Sequence, residues 1–259
     1  MSDLNTVTTS NLSATCPKSV LITGASSGIG RELALQYAND GYQVIACGQN
    51  NQKLVALMAE HPAIEALVFD VTDLEQTHKA FHSLPTIPSL IILNAGTCEY
   101  INHGEMDAQL VKRVFTVNVF GIANCIEALQ ARFDSHTHLV VMGSSASYLP
   151  LPRAEAYGAS KAAIAYLTYS YALDVKEKGI FVSLVSPGFV KTPLTDKNDF
   201  AMPMLMSVSD AAQSIRAGIT AKKTEIHFPA KFTYWLKLMA LFPVNIQQWM
   251  VRKMTRRSS

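Results

Sequence analysis

The sequence predicts a single doubly wound α/β domain: a parallel sheet of seven strands with helices on both faces. Three observations carry that expectation. Short apolar runs alternate with longer segments of helical period. Most of the runs are apolar at every position rather than at every second one. No repeat or low-complexity linker interrupts the alternation. A strand that is apolar throughout is buried on both faces, the environment of a parallel sheet. Strand, helix, strand in strict succession requires crossover connections, and these are right-handed. In such a sheet the ligand crevice lies outside the carboxyl ends of the strands, so the residues following each run are the candidates for function.

The first run, 19–23 (Ser-Val-Leu-Ile-Thr), feeds a helical pattern at 29–39. Runs 43–47 and 66–69 precede helical patterns at 52–60 and 74–82. The fourth, 90–93 (Leu-Ile-Ile-Leu), precedes the long pattern 108–133, and the fifth, 138–142, precedes 156–178. Run 180–185 leads to a helix at 209–220, and 225–228 closes the series. Three regions follow: a polar N-terminal segment 1–17, a domain 18–228, and a basic, apolar helical extension 229–259.

The 259 residues are 49% apolar and 16% charged. An average soluble domain carries about 25% charge, and this balance excludes a disordered chain. The net charge of +2 does not mark a nucleic-acid binder. It hides an asymmetry: residues 222–259 hold eight Lys/Arg against one acid, Glu225, whereas the first 221 hold 14 basic and 19 acidic residues. The four cysteines share no metal-ligand spacing, and a reducing cytoplasm is the simplest compartment for them. Segment 1–17 has no apolar stretch of the secretory kind, and no run of 18 apolar residues suggests a membrane span. The seven histidines do not cluster, so no metal site is expected. The segment around Ser144 lacks the second glycine of a hydrolase nucleophile elbow.

After the first run comes Thr23-Gly24-Ala25-Ser26-Ser27-Gly28-Ile29-Gly30. A strand that enters a helix through a glycine-rich turn leaves backbone N–H groups unpaired at the helix N-terminus. Those groups and the helix dipole suit a pyrophosphate, and glycine lets the backbone approach it closely. Tyr157 and Lys161 stand four apart, on one face of a helix, so the ammonium is expected near the phenol and to lower its pKa from about 10. That would make the phenol a usable acid or base near neutral pH.

Further motifs follow in order: Asp70-Val71 at the end of the third run, Asn94-Ala95-Gly96 after the fourth, Asn118 within the long helix, a serine cluster Ser144–Ser147 after the fifth, and Pro187-Gly188-Phe189-Val190-Lys191-Thr192 after the sixth. Together these resemble the short-chain dehydrogenase/reductase family, with its T-G-x-x-x-G-x-G turn, N-N-A-G (here Leu93 replaces the first Asn), Y-x-x-x-K and P-G-x-x-x-T. The resemblance covers roughly 18–228 and implies a Rossmann-like fold and hydride transfer between a nicotinamide cofactor and a carbonyl or secondary alcohol. It implies a catalytic tetrad of Asn118, Ser144, Tyr157 and Lys161. Ser144 keeps the family's S-x12-Y spacing, whereas Ser145 would need a one-residue deletion. Lys161 would also bind the nicotinamide ribose, and Asn118 would hold a water beside it.

Cofactor contacts are expected from Gly24, Ser26, Ser27, Gly28, Ile29 and Gly30 at the turn, and from Gly48 and Gln49 after the second run. Asp70 and Val71 would hold the adenine, with Asn94, Ala95 and Gly96 beyond them. Tyr157, Lys161, Pro187, Gly188, Val190 and Thr192 complete the set. The second run ends without the acid that binds a ribose 2′-hydroxyl in NAD-specific relatives. The arginine common in NADP-using ones is also absent, and Arg31 could serve only by reaching back. NADP is therefore favoured, with NAD or dual use as the alternative. Segments 97–101, 147–152 and 193–206 should line the substrate pocket. The Met-rich third of these favours a hydrophobic substrate. Long helices at 108–133 and 156–178 suit a homodimer or homotetramer, as in relatives. A non-catalytic dinucleotide-binding regulator is the other reading of the same fold.

The extension reads as two short helices, 231–242 and 244–254, broken at Pro243. Trp235 and Trp249 with a basic fringe suit a membrane interface, making the chain a peripheral membrane protein. The alternative is that these apolar faces pack on the domain or on a partner subunit and wall the substrate site, with the basic end solvated.

Overall fold

The computed structural model describes residues 18–196 and 198–255; segment 1–17 lies outside them. Seven strands form the sheet: β1 (Ser19–Thr23), β2 (Gln43–Gly48), β3 (Ile64–Val68), β4 (Leu90–Leu93), β5 (His138–Met142), β6 (Phe181–Pro187) and β7 (Glu225–Phe228). All pair in parallel, in the order β3-β2-β1-β4-β5-β6-β7. The order reverses direction between β1 and β4, which opens a crevice at their carboxyl ends.

On one face lie α1 (Gly28–Asn39), α2 (Asn51–Glu60) and α7 (Val208–Thr220). Leu33, Leu54 and Ile215 from these helices meet Val20 and Ile22 of β1 there. On the other lie α3 (Leu74–His82), α4 (Ala108–Phe115), α5 (Gly121–Leu129) and α6 (Glu155–Val175). Phe81, Ile126 and Ile164 meet Leu21, Ile91 and Leu139 on this side. Adjacent β1 residues thus serve opposite cores, which is why the run carries no polar alternation. Two more helices follow β7: α8 (Ala230–Ala240) and α9 (Val244–Thr255). They enclose a third, smaller cluster with Leu149.

The structure departs from the sequence reading in two places that matter for function. The third strand begins at Ile64 and stops at Val68, so Asp70 and Val71 follow it rather than end it. As the outer strand it carries an exposed Glu65, which breaks the apolar run at its start. The long helix at 108–133 is interrupted: a π-helical turn, Thr116–Phe120, joins α4 to α5, and a 3-10 turn, Gln130–Arg132, ends it. By length and mean hydropathy (1.3) Ala108–Arg132 could cross a bilayer. Ile122, Cys125, Ile126 and Leu129 are instead buried against the sheet.

Candidate active site

Positive φ at Gly24 (+65°) and Gly28 (+55°) turns the chain out of β1 into α1. The turn is locked to the end of β4. The Thr23 hydroxyl accepts from the amides of Asn94 and Ala95 at 3.0 and 3.1 Å, and the Asn94 amide group donates to the carbonyls of Thr23 and Gly24. A Cβ at Gly30 would stand 2.4 Å from the Gly24 carbonyl oxygen and from Asn94 Nδ2. Gly30 is therefore buried packing beneath the turn, and it does not reach the cleft. That corrects its expected role as a cofactor contact.

The other expected contacts line one cleft of about 990 Å³. Gly24, Ser26, Ser27, Gly28 and Ile29 face Gly48, Gln49, Asp70 and Val71, with Asn94, Ala95 and Gly96 on its floor. Ser144, Tyr157 and Lys161 stand at one end with Pro187, Gly188, Val190 and Thr192. Asn50, Asp73, Asp107 and Ser207 cap their helices by accepting backbone N–H bonds. Ser27 makes no side-chain cap, and the first turn of α1 holds no acid. Its first residues line the cleft and their amides have no side-chain cap, an arrangement suited to a diphosphate. The residues present fit a dinucleotide.

Arg31 is not a cleft residue, because Glu60 holds its guanidinium. Lys53, in the first turn of α2, does line the cleft beside Gln49 and Asn50, and its ammonium makes no ion pair among the described residues. It lies beyond the strand end, where no sequence motif marks a cofactor contact. The signal was the Asn50 cap, whose side chain accepts from the Lys53 amide and so sets the helix start. Lys112 and Arg113 also border the cleft, the latter paired with Glu99 at 2.9 Å.

At the catalytic end, Gly143 and Ser144 follow β5. Ser144 Oγ accepts from the Ala146 amide at 3.1 Å and hydrogen-bonds the phenol of Tyr157. The Ser147 hydroxyl donates to the Ser144 carbonyl, and Ser145 touches only the second cavity described below. Lys161 is 3% exposed; it donates to the Met142 carbonyl at 2.9 Å, and its ammonium lies 5.9 Å from the Tyr157 ring centroid. Burial moves both groups towards their neutral forms: the Tyr157 phenol is pushed up to about 12, and the Lys161 ammonium down to about 8. The shift runs opposite to the acidified phenol expected from the sequence: burial raises the Tyr157 pKa, Cys98 adds to it, and the Ser144 bond only partly offsets them.

Asn118 sits on the π-helical turn, fully buried and not in the cleft wall. Its amide group donates to the Thr97 carbonyl (2.9 Å) and Ser160 hydroxyl (3.0 Å), and its Oδ1 accepts from the Thr97 amide (2.8 Å). The side chain fastens the segment after β4 to α6, next to Gly96 and Lys161.

A second cavity, of about 270 Å³, opens from Ser144 and Tyr157. Tyr100, Phe189, Leu194 and Phe200 line it, with Phe232 and Leu236 of α8 and Met254 of α9. Of the methionines expected from segment 193–206, none lines it. Met204 is exposed, and Met206 pairs with Val190 to close the loop. Arg153 borders it, but Asp199 (2.6 Å) and Asn102 engage its guanidinium.

Residues 18–202 match the family described as short chain dehydrogenase. An uncharacterized oxidoreductase of Myxococcus xanthus is 32% identical over 235 residues, covering 87% of this chain and 93% of that protein. The serine 3-dehydrogenase of Agrobacterium fabrum is 30% identical over 186 residues, 68% of this chain and 73% of its own. A Burkholderia phymatum short chain dehydrogenase/reductase, solved in complex with NAD, superposes with a TM-score of 0.75 at 22% identity, over 86% of this chain and 92% of that one. With the glycine turn, the Tyr157/Lys161 pair and the parallel sheet in place, the chain belongs to the short chain dehydrogenase family of oxidoreductases.

Proposed function

We propose that the protein reduces a neutral, apolar ketone or aldehyde at the expense of NADPH. The observation that carries this reading is the junction of the two cavities at Ser144 and Tyr157. The larger suits a dinucleotide, and the smaller is walled mainly by aromatic and aliphatic side chains. The bound nicotinamide would supply hydride to the carbon bearing the oxygen. Tyr157 keeps its proton across the neutral range and is the donor to that oxygen. Ser144, bonded to the phenol, offers its hydroxyl to the same oxygen. Lys161 and Asn118 act as positioning residues, Lys161 fixing the carbonyl end of β5 and Asn118 the segment after β4. With Arg153 already paired, no unengaged cation faces the smaller cavity among the described residues, which disfavours a charged acid. The NAD of the Burkholderia relative and the dehydrogenase and oxidoreductase names of the others support this class of reaction.

Turnover of an aliphatic and aromatic ketone panel with NADPH tests the reading; a panel that leaves the nicotinamide absorbance unchanged overturns it. In the same assay Ser144→Ala is expected to lower turnover by at least about tenfold more than Ser145→Ala, since only Ser144 reaches the phenol. The reverse ranking would reassign the serine.

The NADP preference rests on Lys53 and on the absence of an acid at Gly48 or Gln49. Lys53→Gln should weaken NADPH roughly tenfold, the worth of one charge-assisted hydrogen bond, and leave NADH unchanged. Gly48→Asp should favour NADH by repelling the 2′-phosphate. A wild-type protein that binds NADH the more tightly in titration would sink this assignment. Self-association belongs to the same reading: Phe120, Tyr166 and Leu173 stand exposed on the outer helices α5 and α6 or beside them.

A further inference from the structure

Helices α8 and α9 present two different apolar faces. The inner one is accounted for: Leu236, Met239 and Val251 are buried against Leu149, Thr233 bonds His227 at 2.7 Å, and Lys237 pairs with Glu225 at 2.6 Å. The outer one is not. Trp235, Leu238 and Phe242 recur at helical spacing along α8 and its end, and Ile246 and Trp249 recur along α9; all are exposed, and Leu241 between the helices is 81% exposed. A soluble surface scatters such residues singly; grouped on two packed helices they mark a contact face.

The charge around this face identifies what covers it. Neither helix carries an Asp or Glu, and Lys237 is taken up on the inner face by Glu225. Lys231, Arg252 and Lys253 are exposed, and the Lys253 ammonium lies 4.6 Å from the Trp249 ring centroid. A second copy seated on the same face by a two-fold axis would bring these cations against their own kind. A surface of anionic headgroups over hydrocarbon complements both features: the cations meet phosphate, and the indoles sit at the headgroup boundary.

The same helices lead to the chemistry. Phe232 and Leu236 of α8, and Met254 and Thr255 of α9, line the cavity that ends at Tyr157 and Ser144. We infer that α8 and α9 dock the protein on an anionic membrane surface and place the mouth of the smaller cavity there, so that the substrate is a lipid-dissolved carbonyl compound taken from the bilayer. The substrate half rests on the reductase reading above; the docking half does not.

Flotation of the full-length protein separates the two. It is expected to float with vesicles of phosphatidylcholine plus phosphatidylglycerol at low salt, and to be released at high salt. Neutralising two cations, Arg252→Gln with Lys253→Gln, should weaken binding roughly thirtyfold at about 1 kcal/mol per charge. Trp235→Ser with Trp249→Ser should abolish it, with an unchanged thermal midpoint and unchanged turnover of a short, water-soluble ketone. No flotation at low salt overturns docking. Flotation that survives both double variants overturns the assignment to this face. Absence of flotation with a mass that doubles in solution, and halves in the tryptophan variant, gives the face to a second copy. If vesicles bind but fail to stimulate turnover of a long-chain ketone relative to the short one, the substrate half falls and docking stands. A protein that floats yet reduces nothing would refute the reductase reading and, with it, the substrate half, and leave docking standing.

Discussion

Tyr157→Phe is expected to lower turnover by about 10²- to 10⁴-fold, the range that general acid–base catalysis supplies, while dinucleotide affinity is unchanged. The phenol stands where the two cavities meet, with Ser144 bonded to it. Removing the hydroxyl leaves the ring, its packing and the glycine turn in place. Because burial holds the phenol pKa at about 12, the wild type should retain its donor throughout the neutral range. Any loss of reduction at pH 7–9 must come from another group. Steady-state kinetics with a confirmed ketone, beside a fluorescence titration with NADPH, distinguishes the outcomes. Near-normal turnover in the variant would remove Tyr157 from the reaction.

Lys161→Met should abolish turnover and make the protein more stable at pH 7. The ammonium is buried, and its pKa falls from 10.5 to about 8 because its charge has been taken out of water. In the unfolded chain the lysine regains its ordinary value. Between about pH 8 and 10 the unfolded state therefore binds more protons, and stability rises with pH through that window. Below about pH 8 both states are protonated and the burial penalty is present in full. Methionine has similar length and no charge, so it relieves that penalty, less the lost bond to the Met142 carbonyl. The net gain is expected to be on the order of 1–2 kcal/mol at pH 7 and to shrink towards pH 10. Urea denaturation at the two pH values reads this directly. A variant less stable than wild type at pH 7 would show that the carbonyl bond outweighs desolvation.

The strands were legible because the inner ones are mostly apolar on both faces, and the cleft was legible because the turns follow strand ends in a parallel sheet. Tyr157, Lys161 and Ser144 could be found because their spacing along one helix and one loop is local. What escaped depended on distances between elements. Gly30 reads as a phosphate-turn glycine, yet its missing Cβ makes room for Gly24 and Asn94. Lys53 lies in a helix that no motif marks, and only the packing of α2 beside β2 brings it to the cleft. Arg31 was considered for that place, but Glu60, 29 residues away, claims it. The sign of the Tyr157 shift could not be read from a four-residue spacing, because burial and the nearness of Cys98 arise only in three dimensions.

The π-helical turn at Thr116–Phe120 changes the phase of the rod it interrupts. An α-helix advances about 100° per residue, so widening one turn by a residue rotates everything downstream relative to everything upstream by roughly that angle. Before the turn, Gln109, Lys112 and Arg113 look into the cleft; after it, Ile122, Ile126 and Leu129 look into the sheet. In a rod of uniform pitch the angle between the two sets would be fixed by their spacing alone; the wider turn changes that angle. Asn118 is the residue that stands where the direction changes. Periodicity counted from either end therefore loses step at the point where the helix passes the site.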